Sequence, residues 1–179
     1  FTGGWSDLVD AVNNVYVYGG RHSPHRGRTH GRPVDDRPRR RFLAYAQNHD
    51  QIGNRAMGER LGHLAGRRAV EAAAAIVLLS PFVPLLFMGE EWMAGTPFQY
   101  FTDHRDADVA AAVTKGRREE FARFASFSAD DVPDPQDEAT FVRSRLDWGE
   151  LDRSPHRDVF EWYRRLLALR RSHPALRTD

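Results

Sequence analysis

Cysteine is absent from the 179 residues, so neither a disulfide framework nor a thiolate metal site can be built. Lysine is almost absent too. Lys115 stands alone among 26 basic residues, and the arginine excess reads as a compositional bias rather than as a binding surface. Charge of one sign is missing: the net charge is +1, and no global field favours nucleic acid or an acidic partner. No apolar run reaches the length of a membrane span; the longest, residues 72–88, is broken by Ser80, Pro81 and Pro84. Internal repeats, low-complexity tracts and a secretory leader are not visible. The chain opens on Phe1-Thr2-Gly3-Gly4 without an initiator methionine and is expected to be a piece of a longer protein. With 28% charged and 41% hydrophobic residues, its composition is that of an ordinary globular domain.

Periodicity divides the chain into elements. Residues 5–16 space Trp5, Leu8, Val9, Val12 and Tyr16 for one apolar helix face. Residues 19–41, rich in Gly, Pro, His and Arg, read as a long polar loop, functional or unstructured. A strand is expected over 42–47, a glycine-punctuated turn over 53–66, and an alanine-rich helix over 67–79 stopped by Pro81. Residues 83–88 are apolar throughout, the signature of a parallel strand buried on both faces. Strand, helix, strand makes a βαβ unit. An aromatic-rich loop follows over 89–104, then a helix over 106–124 carrying Val109, Val113, Phe121 and Phe124, a loop over 126–136, and a short helix over 137–145. Ser154-Pro155 reads as an N-cap with proline at the first helical position. The helix it opens runs to Ser172, with Val159, Phe160, Tyr163, Leu166, Leu167 and Leu169 inward, and Pro174 ends it. The fold class is α/β, and two strands with flanking helices fit the last part of a (β/α)8 barrel, although a doubly wound sheet satisfies the same periodicity.

The chemistry is concentrated where the first strand ends, at Gln47-Asn48-His49-Asp50-Gln51-Ile52-Gly53-Asn54-Arg55. In an α/β barrel the strand's C-terminal edge carries the catalytic groups. A carboxylate, an imidazole and amides together can hold adjacent hydroxyls of a sugar ring. The plainer reading of Asp50 is that it caps the turn after it, and Gln51, Asn54 and Arg55 can serve the backbone or a neighbouring carboxylate. Glu90 and Glu91 invite a general-acid reading at the end of the second strand. On an extended segment they point in opposite directions, so both cannot serve one site; Glu90 is preferred, as a sugar contact or as the holder of an arginine. Trp92, Phe98, Tyr100 and Phe101 could stack on sugar rings or pack the loop. In the 19–41 loop, His22, His25 and His30 lie among arginines that oppose a cation, so no metal is expected there. No recognisable nucleic-acid fold accompanies its charges.

Asn48-His49-Asp50 resembles the fourth signature of the glycoside hydrolase family 13 enzymes, the alpha-amylase clan. The strings 51–55, 85–92, 96–104, 115–121 and 133–136 are similar to the trehalose-releasing branch of that family. The resemblance covers nearly the whole chain. It implies the C-terminal portion of a TIM barrel, about its last two strands with trailing helices, residues 1–179 being one partial catalytic domain. It implies a retaining α-glycosidase that cuts the α-1,4 bond next to the terminal trehalose of a maltooligosyl trehalose. Asp50 matches the carboxylate that stabilises the transition state, and His49 a residue bonded to the same ring. Asn48, Gln51 and Glu90 complete the expected substrate contacts. No segment resembles the nucleophile or acid/base signatures, so the 179 residues alone are expected to be inactive and to expose aggregation-prone strand edges. No cofactor, metal or membrane partner is expected. The location implied is cytoplasmic, and nothing sets an oligomeric state. Two alternatives stand: a glucan branching or other α-glucan-active enzyme of the clan, and a non-catalytic carbohydrate-binding remnant.

Overall fold

The computed structural model describes residues 4–34, 36–122 and 132–176. Six α-helices are ordered among the described residues: α1 (Trp5–Asn14), α2 (His49–Gly53), α3 (Leu61–Leu79), α4 (Ala107–Phe121), α5 (Glu138–Arg143) and α6 (His156–Ser172). Four short strands accompany them: β1 (Arg21–Ser23), β2 (Arg28–His30), β3 (Leu43–Ala44) and β4 (Val83–Pro84). The architecture is helix-rich α/β.

The βαβ unit is present. β3 pairs β4 in parallel, with Leu43 opposite Val83 and Ala44 opposite Pro84, and α3 is the crossover. The ladder is shorter than the apolar runs, and Pro84, which has no N–H, leaves no donor on the strand's other edge. Val83 and Leu85 supply the N–H groups, donating to Phe42 and Ala44 carbonyls at 2.9 Å each. The expectation that residues 83–88 are buried on both faces is not met: Val83 and Met88 are exposed, as are Leu43 and Tyr45 on the neighbouring segment. A two-stranded sheet has no further strand or layer to cover its open side. The polar stretch 19–41 is also not simply a loop. β1 and β2 form an antiparallel hairpin, and Arg39–Arg41 adds a 3-10 turn that leads into β3.

The core forms where α3 lies against α6. Val70, Ala74 and Leu78 of α3 meet Val159, Tyr163 and Leu166 of α6, with Leu86 and Met93 packed at the margin. The spacing of four and three residues puts each triplet on one stripe of its helix. Each fully buried Val or Leu contributes about 1.5–3 kcal/mol, so this contact is a main source of stability. The expected helix over 67–79 is the main body of α3; a turn over residues 61–65 precedes it, and Gly66, at φ 74° and ψ 178°, breaks the helical backbone between the two. Leu169, expected inward on α6, is 41% exposed. Ser154 does not cap α6: its hydroxyl donates to Asp158 at 2.8 Å, and Pro155 takes the N-cap position without a side-chain bond. Val109 of α4 faces outward, and Arg117 and Phe121 are the buried residues of that helix. Phe124 and residues 126–131 lie outside the described residues.

Arg170 ties the far end of α3 to α6. Its guanidinium donates to the carbonyls of Leu78, Ser80 and Phe82 at 2.6–2.7 Å, satisfying acceptors where α3 ends and β4 begins. Replacing Arg170 with alanine is expected to destabilise the fold by about 2–3 kcal/mol. Leu169→Ala on the exposed side should cost under about 1 kcal/mol. Urea unfolding of the two variants measures the contrast.

Candidate active site

The strand β3 delivers Gln47 and Asn48 to the end of the sheet, and there the backbone turns into α2. Asn48 is the N-cap. The Gln51 N–H donates to Asn48 Oδ1 at 3.0 Å, and the Asn48 N–H donates to Gln51 Oε1 at 3.0 Å. This reciprocal capping box satisfies two donors that a helix start leaves open. The oxygens of Asn48 and Gln51 thus serve the backbone of α2, and each side chain keeps its amide NH2 and a second oxygen lone pair. His49 and Asp50 occupy the first turn and point outward. Their side chains are 71% and 72% exposed, with His49 Nε2 3.3 Å from Asp50 Oδ1. The capping reading of Asp50 fails, because Asn48 holds that position.

The other end of α2 is clamped from a distance. Arg117 of α4, a buried side chain, donates to the carbonyls of Gly53 at 2.6 Å and Arg55 at 2.9 Å. Its guanidinium also lies 5.1 Å from the Tyr100 ring centroid and 4.6 Å from that of Phe121. Burial lowers its pKa from the ordinary value, and the Glu120 charge opposes that shift. Arg55 itself lies 3.7 Å from Glu59.

Glu90 follows β4 in the 3-10 turn Glu90–Trp92, entered through Gly89 at φ 84°, where a Cβ would lie 2.7 Å from Leu146 and 2.9 Å from Ala94. Because this segment is a turn, the opposed directions of an extended chain do not apply. Glu90 is only 2% exposed, so it does not share an open crevice with Asp50. Its Oε2 accepts from the Phe87 N–H at 3.1 Å and its Oε1 from the Tyr163 hydroxyl at 3.3 Å, and the Gln47 side chain lies close enough to favour its charge. Gln47 Oε1 in turn accepts from the Leu61 N–H at 3.0 Å. Glu90 therefore acts as a post beneath the strand ends, and a direct sugar contact is blocked by the side chains around it. Burial pushes its pKa up to about 7, the Phe87, Tyr163 and Gln47 groups oppose that rise, and the Glu91 charge adds to it. Tyr163 is raised as well, by burial and then by the charge and hydrogen bond of Glu90.

The arginine-holding role falls to a wider group. Arg60, also 2% exposed, donates to the carbonyls of Thr96 at 2.6 Å and Met88 at 2.8 Å. Burial lowers its pKa, and the charges of Glu91, Glu150 and Glu90 work against that. Trp92 cannot stack on a ligand: it is 1% exposed, its indole N–H donates to Glu150 at 3.2 Å, and its ring lies 4.9 Å from Trp148. Phe98 and Phe101 belong to a row of edge-to-face rings, Phe87–Phe98–Phe101–Phe141, at 5.1–5.8 Å. Tyr100, 39% exposed, is the most open of the four expected stacking residues. Reasoning on the sequence did not single out Arg60, Arg117 or Glu150, gave Gln47 only as the head of the string after the strand, and read Tyr163 only as an inward-facing packing residue. For Arg117 the signal was a lone Arg-Arg-Glu-Glu string after Gly116, which looks like a solvated helix face. Among the described residues no group of three metal-binding side chains forms.

No family model matches the chain. In three dimensions it is similar to the crystal structure of a Salmonella typhimurium protein described as an alpha amylase, with a TM-score of 0.86 and 41% identity over 93% of this chain and 28% of that one. The fold thus fits part of an alpha-amylase-type barrel. The sequence relatives are more particular. The chain is 50% identical over 173 residues to malto-oligosyltrehalose trehalohydrolase of Arthrobacter ramosus, and 43% identical over 178 residues to the enzyme of that name from Deinococcus radiodurans. It resembles the malto-oligosyltrehalose trehalohydrolases over 96–98% of its own length and spans about 30% of theirs.

Two outcomes are expected at this site. Removing the cap with Asn48→Ala should cost about 1 kcal/mol, seen in denaturant unfolding, while Asn48→Asp should largely keep it. For Glu90 the sign follows from the raised pKa. Between the unfolded value near 4.5 and the folded value of about 7, the folded protein holds a proton that the unfolded chain has lost. The stabilising term is full below pH 4.5 and is lost as pH rises to 7. Its size is about 3 kcal/mol. Glu90→Gln should flatten the stability profile over that window, as measured by unfolding at half-unit pH steps.

Proposed function

We propose that the chain is part of the catalytic barrel of a glycoside hydrolase that cuts the α-1,4 bond next to the terminal trehalose of a maltooligosyl trehalose and releases trehalose. The observation that carries this reading is the capped turn at the end of β3: it holds His49 and Asp50 open to solvent in a chain that resembles trehalohydrolases nearly end to end. β3 and β4 are read as neighbouring strands near the end of a (β/α)8 barrel, residues 1–179 as one partial domain, and the exposed Leu43, Tyr45, Val83 and Met88 as surfaces that the remaining barrel covers.

The chemistry follows from the two-carboxylate scheme for retaining glycosidases, in which nucleophile and acid/base stand roughly 5–5.5 Å apart. Those two groups would come from residues outside this span. Asp50 supplies the third carboxylate. It accepts hydrogen bonds from ring hydroxyls of the sugar at the cleavage point, and these bonds strengthen as the ring flattens toward the oxocarbenium-like transition state. His49 bonds the same ring. Asn48 and Gln51 hold the turn and can offer their amide NH2 groups to hydroxyl oxygens; Tyr100 offers an aromatic face. Glu90 sets the position of Gln47 and, through it, the turn. With one carboxylate of three, the 179 residues alone would not hydrolyse substrate. No cofactor enters the scheme, and the same proposal puts the reaction in the cytoplasm.

A second reading, hydrolysis or branching of ordinary α-glucans, has the alpha-amylase likeness behind it. Product identity separates the two. The full-length protein should release free trehalose from a maltooligosyl trehalose, and Asp50→Ala should lower kcat by about 10²–10³-fold with little change in melting temperature. Glucose, maltose or branched glucan without trehalose would favour the second reading. Equal trehalose release with alanine at 50 would remove Asp50 from the mechanism.

A further inference from the structure

The hairpin and the entry to β3 enclose a cleft of about 700 Å³ that the hydrolase reading leaves unused. Three arginines line it, Arg26, Arg32 and Arg37, together with His30. Tyr16, Tyr18 and Phe42 supply its aromatic walls. Residues 21–41 contain eight arginines against two aspartates, a concentration that the near-neutral chain shows nowhere else. Part of this charge is answered locally: Arg21 pairs with Asp7 and with Asp10 of α1. Among the described residues lining the cleft there is no carboxylate.

The walls are held in place. Arg26 and Arg21 place their guanidinium carbons 5.9 and 5.2 Å from the Tyr18 ring centroid, and Tyr18 meets His30 edge to face at 6.0 Å. Tyr16 and Phe42 meet edge to face at the same distance. Gly31 has φ 75°, and a Cβ there would lie 1.6 Å from the Tyr18 carbonyl oxygen, so the hairpin's exit is pressed against the segment before it. The Gly20 N–H donates to the His30 carbonyl at 3.0 Å and closes the base. The cleft lies before β3 in the chain, whereas Asp50 follows it, so the two regions sit at opposite ends of that strand.

The geometry points to an anion site in this cleft, one that takes a phosphoryl group carried on a small organic body. Guanidinium forks match phosphate oxygens two at a time, with charge-assisted hydrogen bonds stronger than neutral ones. The aromatic walls offer a face for a sugar or a base. A phosphate ester is favoured over a nucleic acid because the positive groups converge on one concavity instead of tracking an extended strand.

Calorimetric titration of the full-length protein with inorganic phosphate, a hexose 6-phosphate and a nucleoside 5′-monophosphate, at 0.15 M salt, tests this. One saturable site is expected, tighter for an ester than for inorganic phosphate, and the better ester identifies the organic body. Arg26→Gln, Arg32→Gln and Arg37→Gln together should weaken binding at least about tenfold. Arg32→Gln alone, on an exposed residue, should weaken it in the same direction. Arg164→Gln on α6 should leave it unchanged. Absence of saturable binding in the unmodified protein, or an equal loss with Arg164→Gln, overturns the assignment.

Discussion

The buried carboxyl of Glu90 is the constraint on which the other parts of the site depend. It joins the end of β4, through Phe87, to α6, through Tyr163, with Gln47 at the end of β3 beside it. Burying such a group is costly unless its oxygens are satisfied, and here a backbone N–H and a hydroxyl each meet one of them. Once they do, the strand ends cannot slide relative to α6 without breaking several bonds together. The α3–α6 core below supplies the apolar burial, and the Glu90 junction fixes the register in which that burial is used. Arg60 repeats the arrangement with the opposite charge: its guanidinium is bonded to the carbonyls of Met88 and Thr96 on either side of the Glu90 turn.

The sequence carried the helices well, for a physical reason. A helix announces itself through local spacing, and α1, α4, α5 and α6 each begin or end within three residues of where periodicity and capping residues put them. Asp106 and Asp137 bond the first N–H groups of α4 and α5, signals that are local and strong. Strands and buried polar groups behaved differently. Residues 83–88 are apolar, yet Val83 and Met88 are exposed, so the pattern was legible while the burial is not met among the described residues. The β1–β2 hairpin hid inside a polar stretch, since its strands are three residues long and carry no apolar alternation.

The candidate site was legible as a string and less so as an arrangement. His49 and Asp50 stand open, as their place after a strand suggested. Asn48 and Gln51 turn inward on the backbone because α2 starts there, a start that the strand-then-turn reading did not anticipate. Glu90 and Trp92 looked like ligand contacts because a carboxylate and an indole near a strand end are chemically suited to sugar. Long-range partners decided otherwise, Tyr163 for one and Glu150 for the other. No local pattern announces partners more than fifty residues away. The same holds for Arg117, whose bonds to Gly53 and Arg55 link helices with unrelated periodicities.

The reciprocal bonds of Asn48 and Gln51 also decide the polarity of what is left over. Each side-chain oxygen already accepts one backbone N–H, so the amide NH2 is the part of each side chain with no duty in the cap. Asp50, between them in sequence, can present only lone pairs while it is ionised. The turn therefore offers amide donors on either side of a carboxylate acceptor. A vicinal diol, in which every oxygen both gives and takes a hydrogen, can satisfy such a row, whereas a carbonyl or a simple cation would leave half of it unanswered.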